Sequence, residues 1–190
     1  LKATLSGRVT LNYHWIQDLG RSHFAGMILA LILVGAVSAV LFNSLWGGIY
    51  TLISVAASVL FVYAAMVALG MTLGVGTSMF AAVAIGLGVD FSIHTLDRLR
   101  VLSSIYSGDS TSIYKEFYQT TGRALLFNFL AIACGFGVLI SSKVSSLNQF
   151  GGILVVAVSA SFLASMTVLP LLVKQFHPAF ITGAGAPWAK

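Results

Sequence analysis

One carboxylate interrupts the long apolar stretches of this sequence: Asp90, within Ile85-Gly86-Leu87-Gly88-Val89-Asp90-Phe91-Ser92-Ile93-His94. A charged Asp at the middle of a bilayer costs about 2.5–3.5 kcal/mol, so such a residue usually faces a bundle interior and has a task. A low-dielectric setting favours the neutral acid, which suits a group that loads and releases a proton. The competing reading is a polar side chain that only hydrogen-bonds a neighbouring helix. Helical spacing puts Gly86 one turn before Asp90, leaving room for a backbone or a water, and His94 one turn after it on the same face. Asp97 and Arg98 follow at the rim. His94 is either a proton stepping stone or an interfacial histidine, since imidazole is the side chain that changes charge near neutral pH.

The elements that must position these groups follow from where charge is absent. No Asp, Glu, Lys, Arg or His occurs from Phe24 to Val89. A spanning helix needs about 20 apolar residues, so this run holds two spans and most of a third. The pattern predicts five spans in all, at about 24–42, 49–68, 77–96, 124–141 and 150–173. Turns are expected at Asn43–Gly48, with Trp46 at the interface, and at Gly70–Gly76. Between the third and fourth spans lies the polar stretch Asp97–Arg123, where Ile113 and Phe117 recur with Tyr114 and Tyr118 at helical spacing; a short amphipathic surface helix is expected there. Pro170 falls in the last turn of the fifth span. The fold class is therefore all-α, a polytopic membrane protein. Residues 1–22 read as a junction, 23–174 as the bundle and 175–190 as a tail.

Composition agrees. The 190 residues are 58% hydrophobic and 8% charged, against roughly 45–50% and 25% in soluble domains, which excludes an ordinary soluble enzyme and a disordered tail. A net charge of +5 is too sparse for nucleic-acid binding. Orientation follows from Lys and Arg. Arg98, Arg100, Lys115, Arg123, Lys174 and Lys190 lie on one side and Lys2, Arg8, Arg21 and Lys143 on the other, which puts the 97–123 loop and the C-terminus in the cytoplasm and the N-terminal segment outside. Small residues mark packing seams: Ala82, Gly86 and Asp90 on the third span, Ala124, Asn128, Ala131 and Gly135 on the fourth, Ala157, Ser161 and Ser165 on the fifth. At about 1.5 Å per residue, Asp90 lies roughly 9 Å from the cytoplasmic end of its span and Asn128 roughly 6 Å inside the start of the fourth. A hydrogen bond between them is allowed; helix adhesion is the favoured role of Asn128, a place in a relay the other.

The run Ile85–His94 followed by Leu96-Asp97-Arg98-Leu99-Arg100 resembles the G-x-x-x-D helix of the resistance–nodulation–division (RND) transporter superfamily, closest to the branch of the mycobacterial large membrane proteins (MMPL) and hopanoid exporters. Sterol-sensing domains are more distant relatives. Arg123-Ala124 through Gly135-Phe136-Gly137, then Ser141, Leu147, Phe150-Gly151 and Leu169-Pro170, is similar to the last two helices of that family's repeat, and Ser6-Gly7 through Arg21-Ser22 resembles its junction out of a periplasmic porter domain. The resemblance implies the last five helices of a half-repeat, the C-terminal half, in a multi-pass protein of the inner membrane. It implies a proton-driven secondary transporter, not an enzyme, that exports lipids or other hydrophobic molecules. No cofactor is expected beyond the proton as coupling ion. The expected partners are membrane lipids, a hydrophobic substrate, the other transmembrane half with its porter domains and, in some assemblies, further copies of the chain. Carried over, the proton relay falls on Asp90, with His94 and Asn128 as candidate members and Ala82, Gly86 and Gly135 packing around them. Relatives often have tyrosine after the aspartate; Phe91 has no hydroxyl and inherits no relay role.

Two other classes compete. A sterol-sensing-like module would bind lipid and signal without pumping; its proton flux would not depend on Asp90. An intramembrane aspartyl protease is disfavoured, because Gly86-Leu87-Gly88-Val89-Asp90 is one residue too long for G-x-G-D and such catalysis needs two membrane aspartates. His14, His23, His94 and His177 are scattered over both sides, so no metal site is expected.

Overall fold

Helix α1 (Arg8–Leu41) runs unbroken from the polar N-terminal segment into the first apolar stretch. It belongs to a computed structural model that describes residues 8–68, 70, 80–106, 109–176, 178 and 181. All regular structure among these residues is helical: α2 (Leu45–Ala68), α3 (Phe80–Ile105), α4 (Ser110–Phe117), a π-helical turn (Tyr118–Gly122), α5 (Arg123–Gly137), a 3-10 turn (Val138–Ser141), α6 (Ser145–Leu163), a second π-helical turn (Ala164–Val168) and α7 (Leu169–Phe176). Four stretches are long and apolar enough to cross a membrane: Phe24–Leu41, Leu45–Ala68, Ser110–Ser141 and Ser145–Phe176. The fifth long helix, α3, carries Asp90, His94, Asp97, Arg98 and Arg100 and is not in that set.

Several expected boundaries move. The α1–α2 turn is tighter than Asn43–Gly48, because Asn43 adopts a left-handed conformation (φ 48°), a backbone region that asparagine tolerates, and α2 already starts at Leu45. The helix expected to stop at Leu96 continues to Ile105, since Leu96, Leu99 and Leu102 keep a buried stripe at helical spacing that outweighs the polar residues between them. The fifth span begins at Ser145 instead of 150 and continues to Phe176, so Pro170 sits in the first turn of α7, not the last. Proline is tolerated there because its missing N–H is replaced: the Tyr118 hydroxyl donates to the carbonyl of Met166, four residues back, at 2.9 Å. The start of the third span at 77, the Gly70–Gly76 turn apart from Gly70 itself, His177 and most of the tail lie outside the described residues.

A short helix with a buried apolar side forms as α4, but it runs on through the π-helical turn into α5 as the single stretch Ser110–Ser141 and is not a separate surface helix. Asp109 caps it, accepting from the Thr111 amide at 3.2 Å and from the Ser112 hydroxyl, while Ile113 and Phe117 are buried. Tyr114 of α4 donates to the Pro170 carbonyl of α7 at 3.1 Å, and Tyr118 just past α4 donates to Met166 in the second π-helical turn, so two tyrosines fasten this segment to the end of the last long helix. Arg100 donates to the Phe42 carbonyl at 3.3 Å, where α1 has run out of intrahelical donors. These bonds put the α1–α2 turn, the end of α3, α4 and α7 at one end of the bundle.

α6 is the central helix, packed against α2, α3 and α5. The seam residues Ala157 and Ser161 of α6, with Ser165 in the π-helical turn that follows, are buried as the four-residue spacing predicts. Close approach to α5 depends on Gly151: a Cβ there would lie 2.6 Å from Leu139 Cβ and 2.9 Å from the Phe136 carbonyl. Lipid offers no hydrophobic driving force between helices, so such contacts carry the packing.

Candidate functional site

Because α3 is a regular helix, Asp90 and His94 stand one turn apart, and their side chains meet: His94 Nε2 lies 3.4 Å from Asp90 Oδ1. The pair is an ion pair when the imidazole is protonated and a hydrogen bond when Nε2 carries the proton of the neutral ring. A proton can thus be shared or passed between the two along the helix axis.

The surroundings differ from the expectation of a carboxylate buried within this chain. Asp90 is 50% exposed and His94 61%. Gly86 is exposed too, and a Cβ there would meet nothing within 4 Å. The Gly86–Asp90–His94 face therefore looks away from the bundle. Ala82 lies on α3, but its side chain is outside the described residues. The physical reason lies in the opposite face, which is more committed. Ile85, Gly88, Phe91, Ser92, Thr95 and Leu96 are all buried against α2 and α6, and a helix has only one such side to give. Ser92 donates to the Gly88 carbonyl at 2.7 Å, and the Ser54 hydroxyl of α2 stands 3.0 Å from it. A Cβ on Gly88 would come within 3.1 Å of Ser161 Oγ, so α3 and α6 touch closely at the level of Asp90.

Asn128 is half-buried on α5 and makes no hydrogen bond to Asp90. α5 packs on α6, whereas α3 packs on α1, α2, α4 and α6, so the central helix separates the two polar groups. Ala124, Ala131 and Gly135 are exposed, and Gly135 has open space around it. What does join the two helices is aromatic. Phe91, next to Asp90, meets Phe162 of α6 edge to face, with centroids 5.9 Å apart and planes at 73°. Phe162 in turn stacks on Phe129, next to Asn128, at 4.8 Å and 12°. Sequence reasoning missed Phe129 and Phe162. A signal existed, because both polar residues are followed at once by phenylalanine, and adjacent helical positions point about 100° apart. One then faces outward while the next faces the core.

Neither a curated protein nor a solved structure matches the chain. A family model does: the one described as the MMPL family matches residues 1–180. The long apolar helices and that match agree, and the chain belongs to the MMPL family of RND-type transporters, multi-pass membrane proteins that move hydrophobic substrates.

Proposed function

We propose that this chain supplies the proton-handling helices of a proton-motive-force-driven exporter of lipids or other hydrophobic molecules in the inner membrane, with Asp90 as the titrating group. The observation that carries the reading is the two-faced character of α3. Its Asp90–His94 pair, 3.4 Å apart, looks outward, while the residue beside the aspartate, Phe91, is fully buried against Phe162. A change of charge on one face alters what that face can pack against, and the rigid helix carries the displacement to the aromatic stack.

An outward carboxylate at membrane depth is costly against acyl chains. The reading therefore requires a second helical surface over the Gly86–Asp90–His94 face, the role expected of the other transmembrane half. A proton falling through 100 mV supplies about 2.3 kcal/mol, enough to bias a bundle with two arrangements. In this account Asp90 takes its proton from the outer side and gives it up inward through His94, with the α4 end of the bundle in the cytoplasm. Asn128 acts through packing with Phe129, not by direct contact. No cofactor takes part.

The test is export by the intact transporter carrying Asp90→Asn at normal membrane abundance. The substitution keeps size and polarity but cannot lose a proton. Export should fall at least tenfold, and undiminished export would end the relay reading.

A further inference from the structure

The two π-helical turns meet at the end of the bundle that carries α4. Tyr118 opens the first, Tyr118–Gly122, and its hydroxyl donates to Met166 in the second, Ala164–Val168, at 2.9 Å. π-turns inside helices are rare and frequently accompany functional sites. The Tyr118 ring also divides two recesses. One, of about 270 Å³, is bordered by Gly122, Arg123, Leu126, Phe162 and Met166. The other, of about 470 Å³, is bordered by Tyr114, Thr167, Pro170, Leu171 and Lys174.

The chemistry of these walls is one-sided. Apart from hydroxyl groups they are apolar, their charged members are Arg123 and Lys174, and no carboxylate lines either recess. Both cations are exposed, and each is the charge that bounds an apolar stretch, Ala124–Ser142 after Arg123 and Val144–Val173 before Lys174. They therefore stand at the depth where a bilayer changes from acyl chains to headgroups. A groove that is greasy below, cationic at its rim and flanked by tyrosine is complementary to a molecule with an apolar tail and an anionic head. Basic pockets between membrane helices are known to hold anionic headgroups.

We propose that this divided groove binds one anionic phospholipid from the adjoining leaflet, its phosphate held by Arg123 and Lys174 and an acyl chain laid along Leu126, Phe162 and Met166. The site is separate from the Asp90 face and does not depend on Asp90 changing charge. It touches the bundle at Phe162, the middle ring of the aromatic stack.

The test is lipid retention by the intact protein in detergent micelles, titrated with phosphatidylglycerol and with phosphatidylcholine of the same acyl chains and counted by native mass spectrometry. Phosphatidylglycerol should bind about tenfold more tightly. Arg123→Gln with Lys174→Gln should level the two lipids, whereas Arg123→Lys with Lys174→Arg should keep the preference. Leu126→Trp, which fills the apolar floor, should weaken both lipids. Asp90→Asn should change neither, so failure here and failure of the relay reading are told apart. Equal binding of the two lipids by the unaltered protein would overturn the proposal. So would a preference that survives the double glutamine change, or retention unaffected by Leu126→Trp. Crosslinking of a transmembrane helix from elsewhere in the transporter into the groove would also overturn it.

Discussion

Asp90 was legible because its type conflicts with its surroundings: a carboxylate in an apolar run is costly and needs a reason, wherever its helix points. Its pairing with His94 was equally legible, since helical spacing alone brings the two together. Its outward orientation was not, because that depends on which face of α3 wins the contest for α2 and α6, and the buried side won through Phe91, Ser92, Thr95 and Leu96. Phe162, in contact with both Phe91 and Phe129, tests the mechanical half of the account. Phe162→Ala should destabilise the protein by about 1–3 kcal/mol in thermal or denaturant unfolding, less than the loss of a fully buried ring because Phe162 is half-buried, and should reduce export. Phe127→Ala, at a ring that is 71% exposed, should alter stability little. Asp109 gives a pH prediction. The Ser112 hydroxyl holds its carboxyl below the usual carboxylate range, opposed by a smaller desolvation and helped by the amides of Thr111 and Ser112. Its folded value thus lies below its unfolded one, so the capping contribution is complete above the unfolded value and fades as pH falls through the folded one. Amide exchange in α4 should therefore show constant capping protection from pH 8 to 5 and lose it only at about pH 4 and below. Asp109→Asn should remove that acid dependence.

The order of the five long helices could be read from charge-free runs, although only four of the stretches are long and apolar enough to cross a membrane, and the helical segment at α4 from Ile113 and Phe117, because those signals are local. The ends of α3 and α6 could not, since they are set by partners distant in sequence. The clearest case is Pro170, which reads as a helix end until Tyr118 supplies the donor that proline lacks. That exchange predicts non-additivity. Tyr118→Phe alone leaves the Met166 carbonyl short of a donor and should cost about 0.5–1.5 kcal/mol. In a Pro170→Ala background the restored N–H at position 170 can serve that carbonyl, so the same change should cost measurably less in a double-mutant cycle. Equal costs in the two backgrounds would show that the hydroxyl does not stand in for the proline. The α5–α6 crossing gives a steric prediction. Gly151→Val should sharply lower the folded yield, because its Cβ alone would overlap Leu139 and the Phe136 carbonyl. Gly152→Val, at a position with nothing within 4 Å of a Cβ, should fold.

At the scale of the whole molecule, the proposed function joins two observations, membership of a transporter family and an outward acidic face, by having the chain present Gly86, Asp90 and His94 to another part of the transporter. Gly86→Leu separates chain from assembly. The chain has open space there and should insert and reach the membrane at normal abundance, whereas export should be lost because the covering surface can no longer approach. Normal export would mean that the face is uncovered. Proton flux into vesicles reconstituted with the intact transporter, driven by an imposed pH gradient, tests the central claim most directly. The account predicts flux from the unaltered protein and none above empty vesicles from Asp90→Asn. Equal flux from the two would contradict it.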